Sequence, residues 1–200
     1  MSHSVSLTRK LTVTAVLSAI AFLLMFLEFS LPMLIPGFVK MDLSDLPALL
    51  GSFALGPSWG VIIELMKNLL HLLIKGTSSA YVGEICNFLF GAVFVAVAGT
   101  IYLFRHNRTG AIVGSLLGAL AMALLSVPLN YFLVYPVYAK VFAPMEQIIA
   151  AYQSILPSAD SLLKCLLIFN LPFTLVKGLL DVAACWLVYK PLSPVLHGKR

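Results

Sequence analysis

Charged residues are scarce in this chain, and their scarcity excludes an ordinary soluble domain. Only 10% of the 200 residues are Asp, Glu, Lys or Arg, whereas 60% are hydrophobic and the mean hydropathy is +1.01. Soluble domains carry about 25% charged residues. We therefore predict an integral membrane protein. One span needs roughly 20 residues, so the length leaves room for a single transmembrane domain, residues 1–200, and little else.

Cysteines are few and a nucleotide-binding loop is missing. The three cysteines form no CxxC pair and no His lies at ligand spacing from them, so we predict free thiols, no metal site and no cofactor. These residues are Cys86, Cys165 and Cys185. The sequence has no GxxxxGK[ST] motif, which excludes ATP hydrolysis by that route. Uphill transport would therefore need energy from another subunit or from an ion gradient.

Apolar runs separated by Gly and Pro predict an all-α bundle of six transmembrane helices. The helices cover about residues 8–33, 46–56, 57–74, 80–104, 109–139 and 162–190. Pro128 and Pro136 should bend the fifth helix. No small-x-small cleavage site follows the first apolar run, so we predict a retained first helix rather than a secretion signal.

The distribution of Lys and Arg predicts that both termini face the cytoplasm. With the N-terminus inside, seven of these residues at chain ends and turns are cytoplasmic and four are external. The cytoplasmic set is Arg9, Lys10, Arg105, Arg108, Lys190, Lys199 and Arg200, and the external set is Lys40, Lys75, Lys140 and Lys164. The net charge is +5, but the basic residues form no clustered face, so we predict no nucleic-acid binding.

The longest connection between predicted helices, residues 140–160, carries an apolar helical face. Its apolar residues recur at i, i+1, i+4, i+7 and i+8, namely Ile148, Ile149, Tyr152, Ile155 and Leu156. A helix there would either lie across the mouth of the bundle or rest in the membrane interface. The pattern favours neither arrangement.

Two charged residues, Lys177 and Asp181, interrupt the last apolar segment. A charge at the bilayer centre costs roughly 2.5 to 3.5 kcal/mol on insertion scales. Both side chains should therefore face the interior of the bundle and have a partner or a ligand there. Because they are spaced i, i+4, they could also simply neutralise each other, and we expect Asp181 to keep Lys177 charged when no ligand is bound.

Further polar residues form stripes on three predicted helices. The stripes are Glu84 and Asn87 on the fourth helix, Asn130 and Tyr131 beside Pro128, and Asn170, Thr174 and Lys177 on the sixth. If the stripes converge, they form a pocket with hydrogen-bond donors and acceptors of several kinds. Such a pocket suits a neutral, hydroxyl-rich ligand better than a simple ion.

The third predicted helix carries Glu64, Lys67, Asn68 and His71 on one face. We favour a self-paired polar stripe inside the bundle, because the helix has no HExxH motif and no second His to complete a zinc site. A membrane hydrolase that uses Glu64 and His71 is the rival interpretation from another class of protein.

Several stretches, in order along the chain, resemble the riboflavin-specific substrate-binding (S) components of energy-coupling factor (ECF) transporters. The strongest is VKMDLSDLPALLGSFALGPSWGVIIELMKNLLHLL at residues 39–73, followed by GEICNFLFG at 83–91, LNYF at 129–132 and LPFTLVKG at 171–178. The likeness covers about residues 8–190. It implies a six-helix protein of a prokaryotic plasma membrane that binds riboflavin as its transported ligand and catalyses no reaction. It also implies docking on a transmembrane T component that carries two cytoplasmic ATPase subunits.

The resemblance also implies roles for particular residues. The positions that match the ligand site are Lys40, Met41, Asp42, Leu46, Glu84, Asn87, Asn130, Thr174 and Lys177, with Tyr131 beside them. The family reads LPFN where this chain has Thr174, so we expect a changed affinity or flavin selectivity. Ala15 and Ala19 match the docking face of the first helix, although two alanines four residues apart would suit internal packing equally well. An S component for a different vitamin is the nearest alternative.

Overall fold

A computed structural model describes residues 6–197 of the chain, with side chains described as far as Val188. In chain order the elements are α1 (Leu7–Phe26), β1 (Phe29–Ser30), β2 (Lys40–Met41), α2 (Leu46–Leu55), α3 (Pro57–Lys75), α4 (Val82–Phe104), α5 (Arg108–Leu129), α6 (Tyr135–Val141), α7 (Met145–Gln153), α8 (Leu162–Cys165) and α9 (Leu171–His197). Three of the basic residues that were used to predict the membrane orientation lie outside the described residues: Lys199, Arg200 and, for its side chain, Lys190.

The first helix is shorter than predicted, and the chain is not purely helical. We predicted a helix over 8–33, but α1 ends at Phe26, and β1 and β2 then form an antiparallel pair in which Phe29 faces Met41. Pro32 and Pro36 lie between the two strands, and proline cannot continue a helix. The hairpin therefore brings the chain back to the start of α2.

Two π-helical segments interrupt the long helices, and the first of them lies in the predicted fifth helix, between the two prolines at which we expected a bend. Asn130–Val134 joins α5 to α6, and Leu166–Asn170 joins α8 to α9. Pro128 precedes the first of these segments, and proline removes a backbone donor and crowds the preceding turn. Short π segments are frequent at functional sites, and each of these carries an asparagine.

Close contact between α4 and α5 depends on small residues. A Cβ added at Gly114 would lie 2.7 Å from the carbonyl oxygen of Ala98, and one at Gly118 would lie 2.5 Å from that of Phe94. In lipid, such close packing rather than the hydrophobic effect drives helix association. Around this contact α1, α2, α3, α4, α5 and α9 share one apolar core.

A second apolar core forms where α7 packs on the rest of the protein. Ile148 and Tyr152 of α7 are buried there, and Ile149 packs partly against the same core. The predicted apolar face is therefore real, but α7 ends at Gln153, so Ile155 and Leu156 follow the helix. Because Ile148 also lines a cavity, α7 forms part of a cavity wall.

Four helical segments within the described residues are long and apolar enough to cross a membrane. They are Leu7–Phe26, Val82–Phe104, Arg108–Val141 and Leu162–Val188. The other two predicted spans are less clear by length and composition: α2 has 10 residues, and α3 carries several buried charged groups.

Candidate ligand-binding site

Each of the three predicted polar stripes contributes at least one residue to the wall of a single cavity of about 190 Å³. Asn87 comes from α4, Asn130 opens the first π segment, and Thr174 and Lys177 come from α9. Lys40 of β2 and Asp42 of the loop that joins β2 to α2 also line the cavity. The remaining wall residues are Phe38, Val39, Gly83, Cys86, Phe90, Met122, Val134, Tyr135, Tyr138, Asn170 and Phe173.

Lys177 forms ion pairs with the loop that precedes α2. Its Nζ lies 3.4 Å from Oδ1 of Asp42 and 3.2 Å from Oδ2 of Asp45. Of the two carboxylates, Asp42 lines the cavity and Asp45 lies behind it, 1% exposed. The Lys177 ammonium thus lines the cavity, and the carboxylates of Asp42 and Asp45 neutralise its charge.

Asp181 does not form the direct ion pair with Lys177 that the i, i+4 spacing allowed. Asp181 is fully buried, and neither of its carboxylate oxygens has a hydrogen-bond partner among the described residues. The i, i+4 spacing made a pair with Asp181 plausible, but the loop carboxylates of Asp42 and Asp45 fold against Lys177 instead. The sequence could not show that contact, because it joins residues more than a hundred positions apart.

Amide groups along the cavity wall are available to a ligand. The Oδ1 atom of Asn87 is buried with no hydrogen-bond partner among the described residues, and buried polar atoms normally have one. Asn130 contributes a second amide from the start of its π segment. A ligand that donates and accepts hydrogen bonds would satisfy both side chains.

A closed ring of hydrogen bonds holds Asn170 and Tyr135, which also line the cavity. The Tyr152 hydroxyl donates to Oδ1 of Asn170 at 2.7 Å, and Nδ2 of Asn170 donates to the Tyr135 hydroxyl at 3.1 Å. The two tyrosine hydroxyls also contact each other directly. The ring fixes the orientation of Asn170, because each of its amide atoms has a specific partner.

A second cavity of about 500 Å³ adjoins the first and shares Phe38, Lys40 and Tyr138 with it. Its other wall residues come from the segment before α4, from the two residues that follow α6 and from α7: Ser78, Ser79, Phe142, Ala143, Gln147, Ile148 and Ala151. Ligand pockets commonly enclose about 300 to 1,000 Å³. The first cavity alone is below that range, whereas the pair together lies within it.

Glu28 lies beside Lys40, the β2 residue that lines both cavities. Its Oε1 accepts hydrogen bonds at 2.7 Å from both Lys40 and Lys75, which ties the loop to the end of α3. Partial burial by itself would raise the pKa of the Glu28 carboxyl, but the two lysines outweigh burial and hold that pKa below its ordinary value. Glu28 is therefore charged at neutral pH.

The sequence matches the family model "ECF transporter, substrate-specific component" over residues 9–189. The chain belongs to this family. Two relatives are the riboflavin transporter FmnP of Bacillus subtilis, 33% identical with 96% of each chain covered, and the riboflavin transporter RibU of Streptococcus thermophilus, 36% identical with 94% of this chain and 85% of the relative covered. The family resemblance in the sequence is thereby confirmed.

The fold agrees with a solved S component. A structure described as the S component of a bacterial ECF transporter superposes with a TM-score of 0.75 at 32% identity, covering 98% of this chain and 100% of that one. This chain is accordingly a multi-pass membrane protein and a transporter subunit, not an enzyme.

Six of the ten residues predicted for the ligand site line the first cavity: Lys40, Asp42, Asn87, Asn130, Thr174 and Lys177. The other four lie elsewhere. Met41 is buried in β2, and Leu46 packs against the main apolar core at the start of α2. Glu84 accepts hydrogen bonds from Thr77 at 3.0 Å and from Ser79 at 2.6 Å. Tyr131 is 38% exposed, with its ring 5.0 Å from that of Phe132.

The polar residues of α3 lie inside the S component and away from both cavities. Lys67 forms an ion pair with Glu64 at 2.8 Å, and Nδ2 of Asn68 donates to the Glu64 carbonyl oxygen. His71 contacts the ring of Phe26 at 5.9 Å. The predicted self-pairing is therefore present between Lys67 and Glu64, but neither ring nitrogen of His71 has a hydrogen-bond partner among the described residues. Lys67 also reaches the loop before α2, where it contacts Asp45.

One short sequence match bears on the rival hydrolase interpretation. Residues 56–60 read GPSWG, which fits the GxSxG consensus of serine hydrolases. That motif requires a strand before the serine and a helix after it. Here α2 precedes it and Pro57 begins α3, so the strand of a nucleophile elbow is absent from this described part of the chain.

The aromatic residues of the cavity wall were not predicted. Phe38, Tyr135, Tyr138 and Phe173 line the first cavity, but none of them belongs to a polar stripe. Tyr135 is the clearest case, because residues five apart are about 140° apart around an α-helix. The π segment bonds Tyr135 N–H to the carbonyl of Asn130 and so turns both side chains toward the cavity.

Proposed function

We propose that this chain binds riboflavin with high affinity and takes part in its uptake as the S component of an ECF-type ABC transporter. The convergence of polar residues from three helices on one cavity, beside a row of aromatic rings, carries this proposal. Further support comes from the relatives, which are named riboflavin transporters.

The chemistry of the two cavities suits the two parts of a flavin. The isoalloxazine rings gain most from dry contact with apolar and aromatic side chains, which Phe38 and Tyr138 offer. The ribityl hydroxyls and ring carbonyls need donors and acceptors, which Asn87, Asn130 and Lys177 offer. Met41, Leu46, Glu84 and Tyr131 would then support the site from outside its wall.

In the membrane, we propose six spans with both termini in the cytoplasm and the ligand site toward the outer mouth. The spans would be α1, α2, α3, α4, the α5–α6 unit and the α8–α9 unit. The chain would dock through Ala15 and Ala19 on a T component with two cytoplasmic ATPases in a bacterial plasma membrane. Exposure of both alanines on α1, while Thr14, Leu17 and Ser18 face inward, supports this docking face.

The absorbance spectrum of detergent-purified protein tests the function. We expect a yellow preparation with a flavin spectrum, and saturable quenching of riboflavin fluorescence after the bound flavin is removed. A colourless protein that binds another vitamin would support a different S-component specificity. Metal-dependent turnover that is lost in Glu64→Gln and His71→Ala would support the hydrolase.

A further inference from the structure

Lys67 is a buried cation that lines neither of the two described cavities. Its side chain is 0% exposed, so it depends wholly on protein groups for partners. It donates to Oγ of Ser44 at 2.9 Å and contacts Oδ1 of Asp45, and its Nζ lies 2.8 Å from Oε2 of Glu64. Two of these three partners belong to the loop before α2.

Asp45 links Lys67 to Lys177. Lys67 contacts Oδ1 of this carboxylate, while Lys177 lies 3.2 Å from Oδ2. The same loop presents Asp42, whose Oδ1 accepts from the Ser44 backbone N–H at 2.8 Å and lies 3.4 Å from Lys177. Lys67 thus holds the Ser44–Asp45 end of the loop turn that faces Lys177.

Lys67 is itself fixed on the side away from the cavity. Glu64, its partner one turn earlier on α3, is 0% exposed. A Cβ added at Gly91 of α4 would lie 2.2 Å from Oε2 of Glu64, so the carboxylate rests directly on the α4 backbone. Lys67 therefore has little freedom to follow Asp45 if the loop moves.

We propose that Lys67 is a positioning residue for the ligand site: by sharing Asp45 with Lys177, it keeps the Lys177 ammonium directed at the cavity. Without Lys67, the negative charge on Asp45 has Lys177 as its remaining close cation and draws that ammonium away from the ligand. This inference rests on the proposed riboflavin site, and it concerns a residue that does not touch the ligand.

A double-mutant cycle between Lys67→Met and Lys177→Met tests this role. Riboflavin affinity is measured by fluorescence quenching for the unsubstituted protein, each single variant and the double variant. We expect Lys67→Met to weaken binding roughly tenfold when Lys177 is present and less than about twofold when it is absent. The melting temperature of the ligand-free protein should instead fall further for Lys67→Met when Lys177 is absent, because Asp45 has then lost both of its close cations. A purely structural role of Lys67 would therefore show its larger effect in the background where the positioning role predicts the smaller loss of affinity.

Ser52→Ala is the matched control, since it removes a different buried hydrogen bond of α2, the 2.7 Å bond from Oγ to the Val95 carbonyl. It should lower the melting temperature without coupling to Lys177→Met. If Lys67→Met does not fold, Ser44→Ala removes one Lys67 contact without removing a charge, and its smaller loss of affinity should show the same coupling.

Equal losses of affinity in the two Lys177 backgrounds, or no loss in Lys67→Met, would overturn the positioning role and leave the proposed function intact. Unchanged binding by Lys177→Met alone would overturn it as well. Failure of the unsubstituted protein to bind riboflavin would instead overturn the proposed function, and this inference with it.

Discussion

The Tyr152 hydroxyl donates to Oδ1 of Asn170 at 2.7 Å and thereby joins α7 to the π segment on the cavity wall. Asn170 in turn donates to the Tyr135 hydroxyl of α6. Three elements around the first cavity are therefore linked through one amide. A change in the position of α7 is transmitted directly to a residue that lines the cavity.

Tyr152→Phe should weaken this coupling. Removing the hydroxyl leaves a buried amide oxygen without its donor, which costs about 1 to 3 kcal/mol. We expect a lower melting temperature in detergent and weaker riboflavin binding by calorimetry. Tyr81→Phe is the matched control, because Tyr81 is 58% exposed. If Tyr152→Phe melts at the same temperature as the unsubstituted protein, the hydrogen bonds among Tyr135, Tyr152 and Asn170 have no structural role.

Most of the helical segments could be predicted, because the residue patterns that mark a helix and its ends lie within the segment itself. Proline and glycine mark the start of α3 at Pro57, and the apolar run from Phe88 to Gly99 marks α4. The α9 stripe of Asn170, Thr174 and Lys177 was also predictable, since its spacing follows the regular helix that begins after the π segment.

The rest of the site depends on contacts that no local pattern contains. The ion pair between Lys177 and Asp45 joins distant parts of the chain. Tyr135 reaches the cavity through a π turn, which changes the helical period on which sequence analysis relies. The early end of α1 was missed because the prolines and glycine of LPMLIPG were taken as the stop signal, whereas the chain already leaves the helix before Glu28 and enters a strand pair.

Thr174→Asn should introduce the amide that the family resemblance leads us to expect at this position. An amide offers both a donor and an acceptor, whereas a hydroxyl has less reach. One additional hydrogen bond to the ligand would strengthen riboflavin binding roughly fivefold. Calorimetry is the appropriate measurement, with Thr174→Val as the matched control that should weaken binding. Weaker binding by Thr174→Asn than by Thr174→Val would contradict this explanation of the substitution.

Glu28→Gln should loosen the loop in a pH-dependent way. The pKa of Glu28 is lower in the folded protein than in the unfolded chain, where it is about 4.3. The ionised carboxylate therefore stabilises the fold above that unfolded value, and the stabilisation is lost as pH falls through the lower folded value. The melting temperatures of the two proteins should differ most near pH 7 and converge in acid.

Glu146→Gln serves as the control for Glu28, because Glu146 is an exposed acidic residue on α7. Its melting temperature should follow that of the unsubstituted protein across the pH range. A difference between Glu28→Gln and the unsubstituted protein that stays constant down to pH 3 would show that the carboxylate charge of Glu28 is irrelevant.

Replacing Ala15 and Ala19 together with Leu should separate binding from transport. Both residues are exposed on α1, so larger side chains would block a partner helix without entering the protein core. We expect unchanged riboflavin affinity but near-background ATP-driven uptake in proteoliposomes that contain the T component and ATPases. Ala183→Leu, an exposed alanine on α9, should transport normally. Normal uptake by the double variant would reject the docking face.

The most direct test of the account is a riboflavin titration of a variant that fills the cavity. Thr174→Phe places a ring in the cavity between Asn130 and Lys177, whereas Val176→Phe places the same ring on the outer surface of α9, where Val176 is 47% exposed. The account predicts saturable, one-to-one binding by the Val176→Phe protein and a loss of roughly a hundredfold or more in affinity for Thr174→Phe. Equal affinities for the two variants would contradict a ligand site in this cavity.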